Sequence, residues 1–593
     1  MKSPYAEISM PDLPPIAAVK DIRLGCEARV EAWIQHFLIE NNIDPSLSPG
    51  LVATREQLCF MVALAEDQVY VPCSDRLFLQ FYRGEASSAL DEEYADAWNF
   101  IEQLLESSDL TSQIKQRALL LCRYRFNLYV NSGMILPSRL IKRLVGIVLN
   151  QMHEPDPFRE KKIRDNAAMA RIFANPAYTS ILNACPGVSS YGSTFSDVRR
   201  ALDCVELERL MRMATHKALW TSEFSPALLQ ADFSAPKEED ASVCEIFDSR
   251  KGYEKILYLP DVAGGFVADL AIIRALLRQG RQVVLALKDA FYFKSPALWD
   301  LTTDPVLQEA TEGMFVLDDM AVSKNQLLQY IREHRLVIIS DGTSEQMNLC
   351  RVSVTFARAW KECDLIIAGG MRNREVFLGT SHEFTRDILC FWRDDDGKFF
   401  MRHKAKAASV RKFTETDLNE RADGIIEKMR VSREQGSTVM FYSAIIGSIP
   451  GQTTTAIRLV TVFVNYLRSK LDNTFIINPA EYFEEGLDGD DLMFMWERVQ
   501  RSGYLDVWRF QTVEDIEVSF ELLHKRLPSS WIGKDATFST GCTKEMMIAM
   551  DEQRKHPELQ IIGPAAEKFL RRREYGVGKY SDVKLPTERG VKR

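Results

Sequence analysis

Between residues 253 and 425, short apolar runs alternate with helical patterns, and this alternation limits the fold more than any other feature. The runs are KILYL, RQVVLALK, GMFVLDD, RLVIIS, CDLIIAGG, and DILCFWR followed by KFFMRHK. Alternation of this kind predicts a mainly parallel sheet with helices on both faces, a three-layer α/β core. The final pair of runs, split by Asp394-Asp395-Asp396-Gly397, predicts a hairpin. The first run ends at Pro260-Asp261, turns through Ala263-Gly264-Gly265 and enters a helical pattern. Asp261 is therefore expected at the carboxyl end of a strand, beside a helix N-terminus. From there a carboxylate can hold a cation or face a phosphate.

The flanking regions read differently. Residues 1–18 are proline-rich and predict an irregular arm. Residues 19–235 predict a helical subdomain, with apolar residues at three- and four-residue spacing over 28–38, 90–105, 113–129, 139–152 and 195–217. Residues 232–252 are polar and predict a linker. The α/β core is expected over 245–425 and a smaller C-terminal α/β domain over 435–593. That last domain would be built from STVMFYSAII, a long helix, NTFIINP, a helix at 490–501 and LDVWRF. A chain of 593 residues is long enough for about three domains.

Composition narrows the function classes. A net charge of −9 argues against a broad nucleic-acid footprint. No run approaches the ~18 apolar residues of a membrane span. Eleven scattered cysteines without a CxxC pair favour reduced thiols and a cytoplasmic protein. The eight histidines form no metal-ligand pair, which argues against zinc. The oligomeric state is not legible.

Five segments in order resemble the damage-control phosphatase family, whose fold is also called the acidic-residue-methyltransferase-like domain. They are DPFREKKIRDNAAMARIF (156–173), DVAGGFVADL (261–270), GRQVVLALKDAFYF (280–293), CDLIIAGGMRNREVF (363–377) and FFMRHKAKAASV (399–410). The resemblance covers roughly residues 20 to 425. It implies a helical subdomain leading into an α/β core, and a metal-dependent phosphatase acting on a small phosphorylated metabolite. The family places a divalent ion (Mg, Mn, Co or Ni) on an Asp-Asn pair after one strand and an Asp after the next. Such an ion polarises a phosphoryl oxygen and orients water. A nearby lysine and an asparagine amide stabilise the phosphoryl charge.

This chain departs from that pattern. Asp-Asn-Ala-Gly-Glu reads Asp261-Val262-Ala263-Gly264-Gly265, the second aspartate falls at Ser295, and the Lys-Gly before the later asparagine reads Gly369-Gly370. Asp261, Asp269, Asn373, Glu375 and Lys406 are retained. The expected catalytic set is Asp261, Asn373 and Lys406, with Lys406 sharing a strand face with Arg402 and Lys404. Asp341, at the end of RLVIIS, is a second candidate metal ligand, its alternative being a cap on the following turn. For Asp289 a turn or ion-pair role is preferred. Gly369 and Gly370 permit close approach of a phosphate.

The C-terminal region has its own candidate. Gly447-Ser448-Ile449-Pro450-Gly451-Gln452-Thr453-Thr454 lies between a strand and a helix and partly resembles a phosphate-binding loop. The glycine spacing is one residue short and Gln452 replaces the lysine. Gly451 and Thr453 would still face an anion at the helix N-terminus, or the segment is a Gly-Pro turn opening a buried helix. Residues 478–486 with Asp488, Asp490 and Asp491 form an acidic loop best explained by helix N-terminal acids, and Cys542 reads as structural. Three functions follow: a metal-dependent phosphatase-like hydrolase, with the metal chemistry in question; a non-catalytic ligand-binding or scaffold protein that keeps the fold; or a nucleotide- or phosphate-binding protein using residues 447–454.

Overall fold

The computed structural model describes residues 13–41, 51–65, 67–84, 88–152, 155–184, 194–222, 225–235, 238–239, 243–247, 253–449, 451–484 and 486–574. Most of the expected N-terminal arm and Pro450 lie outside the described residues.

The chain divides into two compact units. The first holds an eight-stranded sheet: β1 (Glu238–Glu239), β2 (Lys255–Leu259), β3 (Gln282–Leu287), β4 (Phe315–Leu317), β5 (Leu336–Ser340), β6 (Leu365–Gly369), β7 (Asp387–Arg393) and β8 (Phe399–Lys404). Their spatial order is β1-β8-β7-β6-β2-β3-β5-β4. All neighbours are parallel except β7 and β8, the expected hairpin. The period-two alternation of a strand sends successive side chains to opposite faces. In β2, Leu257 and Leu259 enter one core, and Ile256 and Tyr258 the other. Both faces are thus covered, which is why the strands read as continuous apolar runs.

The N-terminal helices do not form a separate subdomain. Trp33, Ile34 and Phe37 of the Ala28–Asn41 helix share a core with Leu257 and Leu259. Leu207, Leu210 and Met211 of the Phe195–Thr215 helix share the opposite core with Ile256 and Tyr258. Among the described residues, the helices Ser88–Glu106, Ser112–Val130 and Pro137–Leu149 centre on a core of their own, closed by Phe291 from the loop after β3.

The second unit begins near Ala408, earlier than expected. The Glu415–Glu434 helix belongs to it, and not to the larger core, because its buried face (Ala422, Ile425, Met429) packs with Val439 and Phe441. Four parallel strands, β9 (Thr438–Ser443), β10 (Thr474–Ile477), β11 (Val507–Phe510) and β12 (Gln560–Ile562), lie in the order β10-β9-β11-β12. Helices cover both faces: Met440 and Tyr442 meet the Thr453–Lys470 helix, and Val439 and Phe441 the other side. β1 and β12, at two and three residues, are too short to carry a periodic signal. No described helix is long and apolar enough to cross a membrane.

Candidate active site

In an open parallel sheet, ligands bind at the carboxyl edge where the strand order reverses. In the larger sheet that point lies between β2 and β6, because β3 follows β2 on one side and β6 is added on the other. The residues after the four central strands then fall in a row. Arg372 follows β6, Asp261 follows β2, Lys288 follows β3 and Asp341 follows β5. All four line one pocket with Tyr292, Ser295 and Asn373. Its charges alternate along the rim: plus, minus, plus, minus.

Each carboxylate is matched by one of these cations. Arg372 Nη2 donates to Asp261 Oδ1 at 3.3 Å. The guanidinium also lies over the rings of Tyr292 (5.2 Å) and Phe293 (5.9 Å). Burial works against the arginine charge, but Asp261 and Tyr292 outweigh it and raise the pKa. Lys288 Nζ donates to Asp341 Oδ2 at 2.6 Å, to Thr343 Oγ1 at 3.0 Å and to the Glu345 carbonyl at 2.8 Å, which uses all three ammonium protons. Asp341 Oδ1 accepts from the Thr343 amide at 2.7 Å. Burial raises the Asp341 pKa, with Lys288 opposing. The Asp261 and Arg372 side chains are 22% and 31% exposed, whereas Asp341 is 3% exposed. The first pair is therefore the more open to a solute, while the Asp341 carboxylate is closed off.

The Asp261 turn is held from several sides. Asn166 Oδ1 accepts the Gly264 amide at 2.6 Å, while its own amide donates to Asp304 Oδ2 at 2.8 Å. Next to it, buried Lys162 lies between Asp156 (2.5 Å) and Asp300 (2.6 Å). The sequence segment 156–173 thus acts on the rim through packing. The loop after β3 closes on the same turn, with the Ala263 amide donating to the Lys294 carbonyl at 2.8 Å. Phe293 takes a left-handed φ of 49° in that loop, a conformation uncommon for a bulky residue. Its ring sits edge-on to Phe100 at 4.8 Å. Below the turn, buried Asp269 accepts the Tyr258 hydroxyl at 2.6 Å, and burial pushes its carboxyl up to about 8.

The other expected residues are placed unevenly. Asn373 lines the pocket, and its Nδ2 donates to the Gly369 carbonyl at 2.8 Å. Gly370 has φ +89°, and a Cβ there would meet Asp261 Cγ at 2.1 Å; the glycine makes room for the aspartate itself. Gly369 lies against Phe391. Lys406 is a correction. Its strand is antiparallel to β7, with Lys404 opposite Ile388, so Lys406 lies past the amino edge of the sheet. Its amide donates to Asp387 at 2.8 Å, about five residues of strand, on the order of 15–17 Å, from the Asp261 rim. Lys404 donates to the carbonyls of Phe377 and Thr380, and burial lowers it to about 8. Asp289 accepts from Ser340 Oγ at 3.1 Å. Asp341 adopts the turn-capping alternative; it is two strands from Asp261, with Lys288 between. Sequence reasoning missed Arg372 as the partner of Asp261 and Lys288 as the partner of Asp341. The only local signal was a cation directly after a strand.

In the second unit, Gly451 has φ +68° and Thr453 opens the Thr453–Lys470 helix. Gln452 Oε1 accepts the Trp531 indole N–H at 3.4 Å. Asp488 caps the Gly489–Gln500 helix, Glu484 pairs with Arg411 and Arg421, and buried Cys542 donates to the Ala444 carbonyl.

The divalent ion that the family implies does not fit these residues. Val262 packs toward the hydrophobic core. A side chain at Gly265 would meet the Ala214 carbonyl oxygen at 2.2 Å, so the family's glutamate has no room. Ser295 offers a hydroxyl where a carboxylate is needed. Asp341 is consumed by Lys288 and Thr343. Among the described residues, no group of three or more His, Cys, Asp or Glu is arranged to hold a metal.

The family model for the damage-control phosphatase ARMT1-like domain matches residues 73–421. Among solved structures, the chain is similar to a DUF89-family protein from Pyrococcus horikoshii. The identity is 18%, covering 51% of this chain and 90% of that one, at a TM-score of 0.37. No curated protein sequence matches. With the model spanning more than half of its length, this chain belongs to the damage-control phosphatase ARMT1-like family.

Proposed function

We propose that the larger unit recognises a small phosphorylated metabolite at the β2–β6 edge. The observation that carries this reading is the run of cations around the Asp261 turn. Lys294 stands among like charges: burial lowers its pKa, Lys161, Lys217 and Arg372 lower it further, and Asp165 opposes them. Clustered cations at a switch point favour an anion of concentrated charge. Arg372 offers a planar fork suited to phosphate. The pocket volume is about 40 Å³, the scale of a few waters. It admits a phosphoryl-sized group, and the rest of the metabolite would lie outside.

Calorimetric titration with sugar phosphates and nucleoside monophosphates tests this. The expected result is binding by the wild type that weakens about tenfold or more in Arg372→Ala, a loss of ~1.4 kcal/mol. No binding by any phosphate ester overturns it. Release of inorganic phosphate in the same assays would favour the second reading, a working hydrolase of the family type, for which retained Asp261 and Asn373 speak.

A further inference from the structure

We infer that Arg372 has taken over the charge role of the family's divalent ion, so that this site works with a built-in cation and binds no metal. The inference rests on the functional reading for its ligand, but its metal arm stands alone. Two observations converge on it. The retained metal-ligand aspartate, Asp261, is engaged by a guanidinium at 3.3 Å. At the second ligand position, Ser295 lines the same pocket without a charge. Removing two anionic or amide ligands while keeping one aspartate leaves a single negative charge. One fixed positive charge balances it; a divalent ion does not.

The guanidinium is positioned as a permanent part of the site. Tyr292 and Phe293 lie against it, and both belong to the loop that closes on the Asp261 turn through the Ala263–Lys294 hydrogen bond. Gly370 brings Asp261 close to the backbone that carries Arg372. Lys288 meanwhile occupies Asp341 on the far side, so the second rim carboxylate is not free to complete a metal shell. In the row from β6 to β5, each of the two carboxylates is matched by one cation of the chain. An anion arriving here meets Arg372, whose five-donor guanidinium already hydrogen-bonds Asp261 and Tyr292.

The test is electron paramagnetic resonance of Mn²⁺ added to the full-length protein, with calorimetry of inorganic phosphate in EDTA alongside. The wild type is expected to leave Mn²⁺ in its free, six-line form. The variant Ser295→Asp/Arg372→Ala restores a carboxylate and frees Asp261, and is expected to bind Mn²⁺ at least about tenfold more tightly than the wild type. Arg372→Ala alone serves if the double variant melts early: its phosphate affinity should fall while the wild type's is insensitive to EDTA. Wild-type Mn²⁺ binding that is abolished by Asp261→Ala overturns the inference. A folded double variant with no gain in Mn²⁺ affinity overturns it too. Absence of phosphate binding together with absence of bound Mn²⁺ would sink the functional reading and leave the charge replacement standing.

Discussion

The two sheets of this chain reverse their strand order in similar ways, and their edges are finished with different chemistry. Between β2 and β6 the edge carries Asp261 and Arg372, both partly exposed and joined by charge. Between β9 and β11 it carries Ser443 and Gln511, both buried; Ser443 also hydrogen-bonds the buried Glu545, and Gln511 Nε2 has no hydrogen-bond partner among the described residues. Ser443 Oγ accepts the Trp508 indole N–H at 2.8 Å, and Gln511 Oε1 accepts the Ile445 amide at 3.1 Å. A switch point is therefore an opportunity and not a site. Charge that remains reachable distinguishes the edge proposed to meet a ligand from the one that has become core.

The largest effect that would sharpen this contrast is expected at Lys288. Lys288→Met strands a buried Asp341 carboxylate, at a cost of about 3–5 kcal/mol in urea unfolding. A loss below ~1 kcal/mol would mean that the Lys288–Asp341 pair does not hold the rim. At the smaller sheet, Ser443→Ala leaves the Trp508 N–H without its acceptor and should cost about 1–3 kcal/mol. No loss there would break the claim that the Trp508–Ser443 hydrogen bond holds this edge.

A third prediction concerns pH. Burial holds the folded-state pKa of Asp269 at about 8, against about 4 for an unfolded aspartate. The folded state then binds one more proton between these values. The stability from this group is complete below about pH 4 and is lost as pH rises through 8. Asp269→Asn should flatten that slope in melting temperature against pH, since its amide oxygen can still accept the Tyr258 hydroxyl. An unchanged slope rules the assignment out. The smallest effect on stability is expected for Arg372→Ala, below about 1 kcal/mol because the pair is partly exposed, although it removes the cation proposed to meet the phosphate.

Much of the scaffold was legible and little of the charge pairing was. The runs from KILYL to DILCFWR fell on β2 to β7 because strands covered on both faces must be apolar throughout. The Asp261 turn was legible for the same reason: its strand, glycines and helix are local. Arg372 lies 111 positions from Asp261, and Lys288 lies 53 from Asp341; no local pattern links them. Lys406 failed for a different reason. The hairpin over 387–404 was read correctly, and an antiparallel return carries whatever follows it to the opposite edge of the sheet. The helical region failed as a separate subdomain because amphipathic spacing reports that a helix is buried, not against what.

The central claim is that the first edge carries its own cation. Phosphate titration of the wild-type protein in EDTA, and again with excess Mn²⁺, tests it most directly. The account predicts the same affinity in both. Phosphate binding that appears only with Mn²⁺ would contradict it.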